Sequence, residues 1–323
     1  MDRQIKEKFK KINSLLKNAK TVVMAAHKYP DGDALGAALA LHIFFKNESK
    51  IQSVPYFPEA PSNFKFLPGF LEIKKSFPKN KIDFLIGLDY GDFKRLGIDG
   101  KAIPDDKIIT IDHHLPSDHR GVLQIVRPDY SSTSEIVYSF LKNNRVKINK
   151  ETATCLLTGI YTDTGGFRHA ATSLETLKAA ADLMFCGASL LKVIRETTTM
   201  GSISVLKIWG RVLSRIKQDE KTGMAYSWVS ANDFSGRTQE NFSVGDLAAD
   251  ISMRSGAPFT LLLIENKPKE FKGSLRSEPH YNIDVAKIAR ILGGGGHRLS
   301  AGFEERGSLD EIVKKVIKAS LKK

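Results

Sequence analysis

The chain is poor in cysteine and in long apolar runs. Only Cys155 and Cys186 occur in 323 residues. Neither lies in a paired metal-binding spacing, which excludes a disulfide framework and a cysteine-ligated zinc site and fits a reducing, cytoplasmic setting. No apolar run approaches the roughly 18 residues of a membrane span, so no membrane partner is expected. The opening Met-Asp-Arg-Gln-Ile-Lys-Glu-Lys-Phe-Lys-Lys has the pattern of a charged helix and not of a signal peptide. No internal repeat or low-complexity segment is visible, and no serine or cysteine stands out as a nucleophile. Acidic residues are outnumbered 36 to 49, for a formal net charge of +13. That excess would concentrate a polyanion such as a nucleotide or nucleic acid, although it also serves plain solubility. With 41% hydrophobic and 26% charged residues, the composition is that of a globular protein long enough for two domains.

What the chain does have is a series of apolar runs that end on acids and imidazoles. Thr21-Val-Val-Met-Ala-Ala reads as a buried strand. It leads into His27-Lys-Tyr-Pro-Asp31-Gly-Asp33 and an apolar helix over about 34–46. Ile51–Tyr56 reads as a second strand. Ile82–Asp89 is a third, ending on Asp89, and Lys107–Ile111 a fourth, ending on Asp112, His113 and His114. Ser131-Ser-Thr-Ser-Glu supplies several caps for a helix reaching about Asn143. A helix from Lys150 delivers Asp163, and helical patterns follow at 173–185 and 189–199. Strands alternating with helices indicate an open, mostly parallel, doubly wound sheet, in which ligands bind outside the carboxyl ends of the strands.

Two aspartates two residues apart in a Pro- and Gly-containing turn repel one another unless a cation sits between them. Asp31, Asp33, Asp89 and Asp163, with His27 and His113, match two divalent ions. Mixed oxygen and nitrogen donors suit Mn²⁺ better than Zn²⁺. Two metals about 3.5–4 Å apart sharing one carboxylate can hold a hydroxide and clamp a phosphate. Asp89, alone at its strand end, is the bridging candidate.

The expected first domain is 1–187, followed by 188–204 as a linker region or an interdomain helix. A smaller α/β domain is expected over 205–323, with strands near 223–230, 259–265 and 271–275 and helices at 284–292 and 308–322. It contains Gly273-Ser274-Leu-Arg276-Ser and Gly293-Gly-Gly295-Gly296-His297-Arg-Leu-Ser-Ala-Gly302. A glycine run alone reads as a flexible turn. Beside an arginine able to grip a phosphate with two N–H groups, it reads as an anion platform.

In order and spacing, these motifs resemble those of the DHH phosphoesterase superfamily, over nearly the whole chain. They are His27-x3-Asp31-x-Asp33, Asp89, Asp112-His113-His114 and Asp163, then the two glycine-containing segments of a DHH-associated C-terminal domain. Ser300, where alanine is usual, is a small departure. The resemblance implies an active site in the cleft between the domains, with one metal held by His27, Asp31 and Asp89 and the other by Asp33, Asp89, His113 and Asp163. The ions would be Mn²⁺, with Mg²⁺ or Co²⁺ as alternatives. His114 would face the scissile phosphate, with Asp112 orienting the site histidines. Arg276 and His297, with Ser274, Gly295 and Gly296, would bind substrate phosphates. Arg168 and Arg254 are added to that set, though each also reads as a salt-bridge partner. The chain's size matches compact members that act as oligoribonuclease (nanoRNase) and 3′-phosphoadenosine 5′-phosphate phosphatase, on short oligoribonucleotides, linear dinucleotides and 3′-phosphoadenosine 5′-phosphate. The resemblance also implies a homodimer. A cyclic di-AMP phosphodiesterase is the rival enzyme, and a non-catalytic nucleotide-binding protein the rival of another class.

Overall fold

The computed structural model describes residues 3–78, 81–98, 103–115, 118–197, 203–234 and 244–321. The chain divides into two compact units, Met1–Thr199 and Met200–Lys323.

In the first unit α1 (Arg3–Leu16) buries Ile5, Phe9, Ile12 and Leu16, one per turn, on a single face. It leads into β1 (Thr21–Ala25), α2 (Gly32–Glu48) and β2 (Gln52–Pro55). Strands β3 (Phe84–Leu88), β4 (Ile108–Asp112) and β5 (Leu123–Val126) follow, then helices α3 (Thr133–Asn143), α4 (Lys150–Asp163), α5 (Leu174–Phe185) and α6 (Leu190–Thr197). The five strands are all parallel in the order β2-β1-β3-β4-β5. That is a doubly wound order. The chain reverses direction across the sheet between β1 and β3, which is where such sheets open a crevice for ligands.

Helix α2 has no polar face because it has no wet one; it is buried almost end to end. It packs closely on α4, and glycine permits the approach. A Cβ at Gly159 would stand 2.0 Å from Ser134 Oγ and 2.7 Å from Asp33 Oδ1. The helix begins two residues earlier than the sequence pattern indicates. Asp31 is its N-cap, accepting from the N–H groups of Asp33 and Ala34 at 3.0 Å each, so Asp33 lies in the first helical turn and not in a loop.

The second unit comprises α7 (Ile203–Ser214), β6 (Lys217–Gln218), β7 (Ala225–Val229), α8 (Val244–Ser255), β8 (Phe259–Lys267), β9 (Glu270–Ser277), α9 (Val285–Ile291), β10 (Gly295–His297), β11 (Ser300–Arg306) and α10 (Leu309–Ser320). They form a six-stranded mixed sheet in the order β10-β11-β9-β8-β7-β6. One face, carrying Leu261, Leu263, Phe271 and Leu275, buries against α9 and α10; on the other, Leu262 and Ile264 join α7 and α8 in a second core. The glycine run is not a flexible turn. Gly295–His297 pairs antiparallel with Ser300–Gly302, and a Cβ at Gly294 would lie 2.1 Å from the Gly302 carbonyl oxygen. Among the described residues no helix is long and apolar enough to cross a membrane.

Candidate metal centre

The three central strands of the first sheet deliver the site. Beyond the end of β1, His27 is pinned by pairing with Leu96, and its Nε2 lies 3.7 Å from Asp31 Oδ2 and 3.8 Å from Asp89 Oδ2. Asp89 follows β3 directly with φ +50°, a left-handed conformation that costs a non-glycine residue about 1 kcal/mol or more. That turn buries its carboxylate 3.5 Å from His113 Nε2 and 3.4 Å from His114 Nδ1. His113 Nε2 is also 3.3 Å from Asp163 Oδ2, at the last residue of α4. Three groups therefore each bring donor atoms within 4.8 Å of one another: His27, Asp31 and Asp89; Asp33, His113 and Asp163; Asp89, His113 and His114. Asp89 belongs to two of them.

The residues around these groups explain their charge states. Burial pushes the carboxyls of Asp89 and Asp163 well above the usual range, and repulsion from Asp33 adds to it. Burial also raises Asp33, although the N–H groups of Thr133 (2.7 Å) and Ser134 (2.8 Å), at the start of α3, point at its two oxygens. Burial opposes ionisation of Asp31 too, yet the hydrogen bond and charge of His27 and its two capping N–H groups hold it below the usual value. Burial depresses His113, leaving it a neutral imidazole with a lone pair. For His114 burial works the same way, but Asp112 and Asp89 overcome it and raise the ring to about 10. Asp112 is fully buried and would be raised by that alone. Instead His114 (N–H and Nδ1, 2.9 Å each) and the N–H groups of Tyr90 (2.9 Å) and Gly91 (2.8 Å) hold it ionised.

Among the described residues, no lysine or arginine is paired with Asp31, Asp33, Asp89 or Asp163; the ion pairs of Asp31, Asp89 and Asp163 are with imidazoles, and Asp33 is held by backbone N–H groups. His113 Nε2 is buried and has no hydrogen-bond partner there. An imidazole nitrogen 3.3 Å from a carboxylate oxygen yet making no hydrogen bond, set in a cluster of acids with no lysine or arginine partner among the described residues, is a donor group that fits divalent cations.

The remaining candidates lie in the second unit, apart from Arg168, whose Nε donates to the Gly165 carbonyl at 2.7 Å. Arg276, Ser300 and His297 are directly opposite one another across β9, β11 and β10, and so are Ser274, Gly302 and Gly295. Cross-strand partners share a sheet face, so four of the predicted phosphate contacts stand on one surface; Gly296, one residue out of phase, does not. Arg254 is on α8, 72% exposed and 3.4 Å from Asp250.

Several participants escape a reading of the sequence. Ser131-Ser-Thr-Ser-Glu contains a cap, Ser132, which accepts from the N–H of Glu135. The two residues after it serve the site: their N–H groups hold Asp33, and Thr133 Oγ1 donates to Asp89 at 3.2 Å. His169 Nδ1 lies 3.0 Å from the Asp163 carbonyl oxygen. Their signal in the sequence was only their closeness to the motifs.

A doubly wound sheet whose switch point gathers carboxylates and imidazoles is the architecture of an α/β protein with a candidate divalent-metal site. Comparison with known families makes this specific: the model for the DHH family, N-terminal domain, matches residues 21–160, and that for the DHHA1 domain matches residues 221–322. The chain belongs to the DHH family. It is 29% identical over 319 residues to the bifunctional oligoribonuclease and PAP phosphatase NrnA of Thermus thermophilus, covering 97% of this chain and 93% of that one. It is 25% identical over 289 residues to the NrnA of Bacillus subtilis, covering 87% and 88%. Among solved structures, an exopolyphosphatase-related protein from Bacteroides fragilis superposes with a TM-score of 0.84 at 26% identity, over 97% of this chain and 95% of the other.

Proposed function

We propose that this protein hydrolyses phosphoester bonds in very short oligoribonucleotides, releasing nucleoside 5′-monophosphates, and converts 3′-phosphoadenosine 5′-phosphate to AMP. The named activities of its full-length relatives support this choice of substrate. In this reading His27, Asp31 and Asp89 hold one divalent ion, and Asp33, Asp89, His113 and Asp163 the other. Mixed carboxylate and imidazole donors favour Mn²⁺. Divalent ions held there would supply Lewis-acid chemistry, lowering the pKa of a bound water and drawing charge off the phosphoryl oxygens.

The chain's own residues do the rest. Asp33 is kept in place by the start of α3, and Asp89 by its left-handed turn, so neither has to reorganise when a cation arrives. His114, held cationic by Asp112 and Asp89, stabilises charge developing on the phosphate, a contribution that positioning alone does not supply. Arg276, with Ser274, His297 and the backbone of Gly295, grips a second phosphate. No covalent intermediate is required.

One observation carries the reading: Asp89, buried beside a second buried acid, Asp33, and with no lysine or arginine partner among the described residues, stands within 4 Å of three imidazoles. The test is hydrolysis of a ribonucleotide dimer, a longer RNA, 3′-phosphoadenosine 5′-phosphate, linear di-AMP and cyclic di-AMP with Mn²⁺, by wild type and Asp89→Ala. Mononucleotide release from the dimer that is lost in the variant supports it. Equal inertness of both proteins on all five overturns it, and a preference for the cyclic substrate moves the specificity.

A further inference from the structure

Asp112 is bound on two sides. One oxygen, Oδ1, takes both contacts from His114; the other, Oδ2, takes the N–H groups of Tyr90 and Gly91 and, at 3.2 Å, the Nε2 of a second imidazole, His119. The His119 side chain is 3% exposed.

The chain works to bring it there. After β4 it turns back so that Asp118 bridges to Asp92 and accepts from the Phe93 N–H at 3.0 Å. On the other side of His119, the Arg120 carbonyl accepts from Thr110 Oγ1 at 2.7 Å. The Arg120 N–H donates to Tyr90 Oη at 3.3 Å, and its guanidinium lies 4.6 Å from the Phe93 ring centre. Tyr90 Oη and Thr110 Oγ1 are joined at 2.6 Å, and the Tyr90 ring lies 5.2 Å from the His119 ring. The residues flanking His119 are thus fastened to β4 and to the Asp89–Phe93 segment, and among the described residues the imidazole between them has one polar contact, to Asp112.

His119 Nδ1 is buried with no partner among the described residues. A proton placed there would be a buried donor unsatisfied, which costs more than an unused lone pair. The proton therefore sits on Nε2, pointing at the carboxylate.

We infer that His119 is a positioning residue for His114: it donates Nε2–H to Asp112 Oδ2 and fixes the carboxylate plane so that Oδ1 holds the His114 ring against the reacting phosphate. The inference rests on the proposed function for what His114 does, but not for the geometry. His119 touches neither substrate nor metal donors in this arrangement. Asp112 already has two backbone donors on the same oxygen, so removing His119 frees the carboxylate to tilt without leaving its charge unanswered.

The test uses the full chain with Mg²⁺ or Mn²⁺ bound, as His119→Leu and His119→Gln; glutamine puts an amide N–H about where Nε2–H was. His119→Leu is expected to lower kcat on the ribonucleotide dimer by about tenfold to a hundredfold, the range seen when the partners of site ligands are removed. KM and metal affinity should stay within about threefold, and His119→Gln should recover most of the loss. The low-field His114 Nδ1–H proton resonance of the Mg²⁺ form should shift or broaden in His119→Leu and return in His119→Gln. Unchanged kcat and resonance in His119→Leu overturn the inference. So does a loss in which KM rises and metal affinity falls along with kcat and glutamine restores nothing, because that marks a general disturbance of the site and not a positioning of His114. If His119→Leu does not fold, His119→Gln decides: wild-type kcat and resonance support the inference, and their loss refutes it. Should the wild type hydrolyse none of the substrates, the functional reading fails, while the resonance still tests the positioning.

Discussion

Two buried aspartates, one in each unit, show how a fold can answer the same charge in opposite ways. Asp233 in the second unit is 5% exposed, and Asp89 in the first is 2% exposed. Burial pushes both carboxyls up. At Asp233 the Arg215 guanidinium pairs with both oxygens, Arg211 adds a contact at 3.5 Å, and the Ser230 N–H and hydroxyl donate; the carboxyl falls to about 2. At Asp89 the neighbouring acid Asp33 adds to burial, imidazoles and a threonine hydroxyl are the only partners among the described residues, and the carboxyl stays high. The first pair is a closed structural unit, its counter-charge supplied by the chain. The second shares one imidazolium, His114, with Asp112 and lies beside Asp33 and Asp31, so the cluster keeps an excess of acid that a cation from outside the chain can answer. Burial of an acid is therefore not in itself a sign of function; burial in a cluster of acids with no lysine or arginine to answer it points to one.

The largest effect expected from this contrast is at Asp89. Asp89→Ala should reduce hydrolysis by about 10³-fold or more, roughly 4 kcal/mol of barrier. It should also abolish the rise in melting temperature on adding Mn²⁺, while leaving the metal-free protein folded. Melting that still responds fully to Mn²⁺ would show that Asp89 is not shared between the ions. The reverse experiment is at Arg215. Arg215→Leu strands a buried carboxylate and should cost about 3 kcal/mol. Both tryptophans, Trp209 and Trp228, lie in the second unit, so their fluorescence in a urea titration reports this loss directly. The double variant with Asp233→Asn should recover part of it. If Arg215→Leu alone were harmless, Asp233 would not be the closed unit described. A smaller change is expected at Arg276, proposed above to grip a second phosphate. Arg276→Ala should raise KM for the ribonucleotide dimer about tenfold with metal response unaltered, in line with loss of one charge-assisted contact. An unchanged KM would remove Arg276 from the substrate surface.

The first unit was far more legible than the second, for a physical reason. Strands buried on both faces are written as continuous apolar runs, and where such a run stops on Asp or His the residue falls at the sheet's carboxyl edge. That is how Asp89, Asp112, His113 and His114 could be placed. Strand β5 was missed because only Leu123 and Ile125 of its four residues are well buried, too short a pattern to separate from a loop. The strands β10 and β11 were hidden because glycines carry no side chain with which to show alternation; what selects them is the close approach of Gly294 to Gly302, a property of the folded pair. Helix α8 contains Gly245 and two aspartates, which mask its apolar spacing. Thr133, Ser134 and His119 were missed for another reason. Each acts by completing a partner's hydrogen bonds, and which partner that is depends on the fold.

The contrast also predicts opposite responses to pH in the metal-free protein. In the first unit His114 stands at about 10 against an ordinary 6.5. Its stabilising contribution is complete below about pH 6.5 and is lost as pH rises towards 10. Asp89 and Asp163, raised well above 3.8, act in the same sense: their ionisation costs stability, and the cost is relieved as pH falls. His113, depressed by burial, opposes them, but only below about 6.5, where the unfolded imidazole takes up its proton. Metal-free, the first unit should therefore lose stability from pH 6.5 to 9. The second unit should be flat over that range as far as Asp233 is concerned, because a carboxyl at about 2 contributes fully above its ordinary 3.8 and loses that contribution only as pH falls through 2. Adding Mn²⁺ should reverse the first unit's slope, since the ions bind the deprotonated donors and are favoured as pH rises. Hydrogen exchange on the strands β1, β3 and β4, set beside tryptophan fluorescence for the second unit, reads both responses in one sample. A first unit that grows more stable from pH 6.5 to 9 without metal would mean that the carboxylates at the switch point already have their counter-charge.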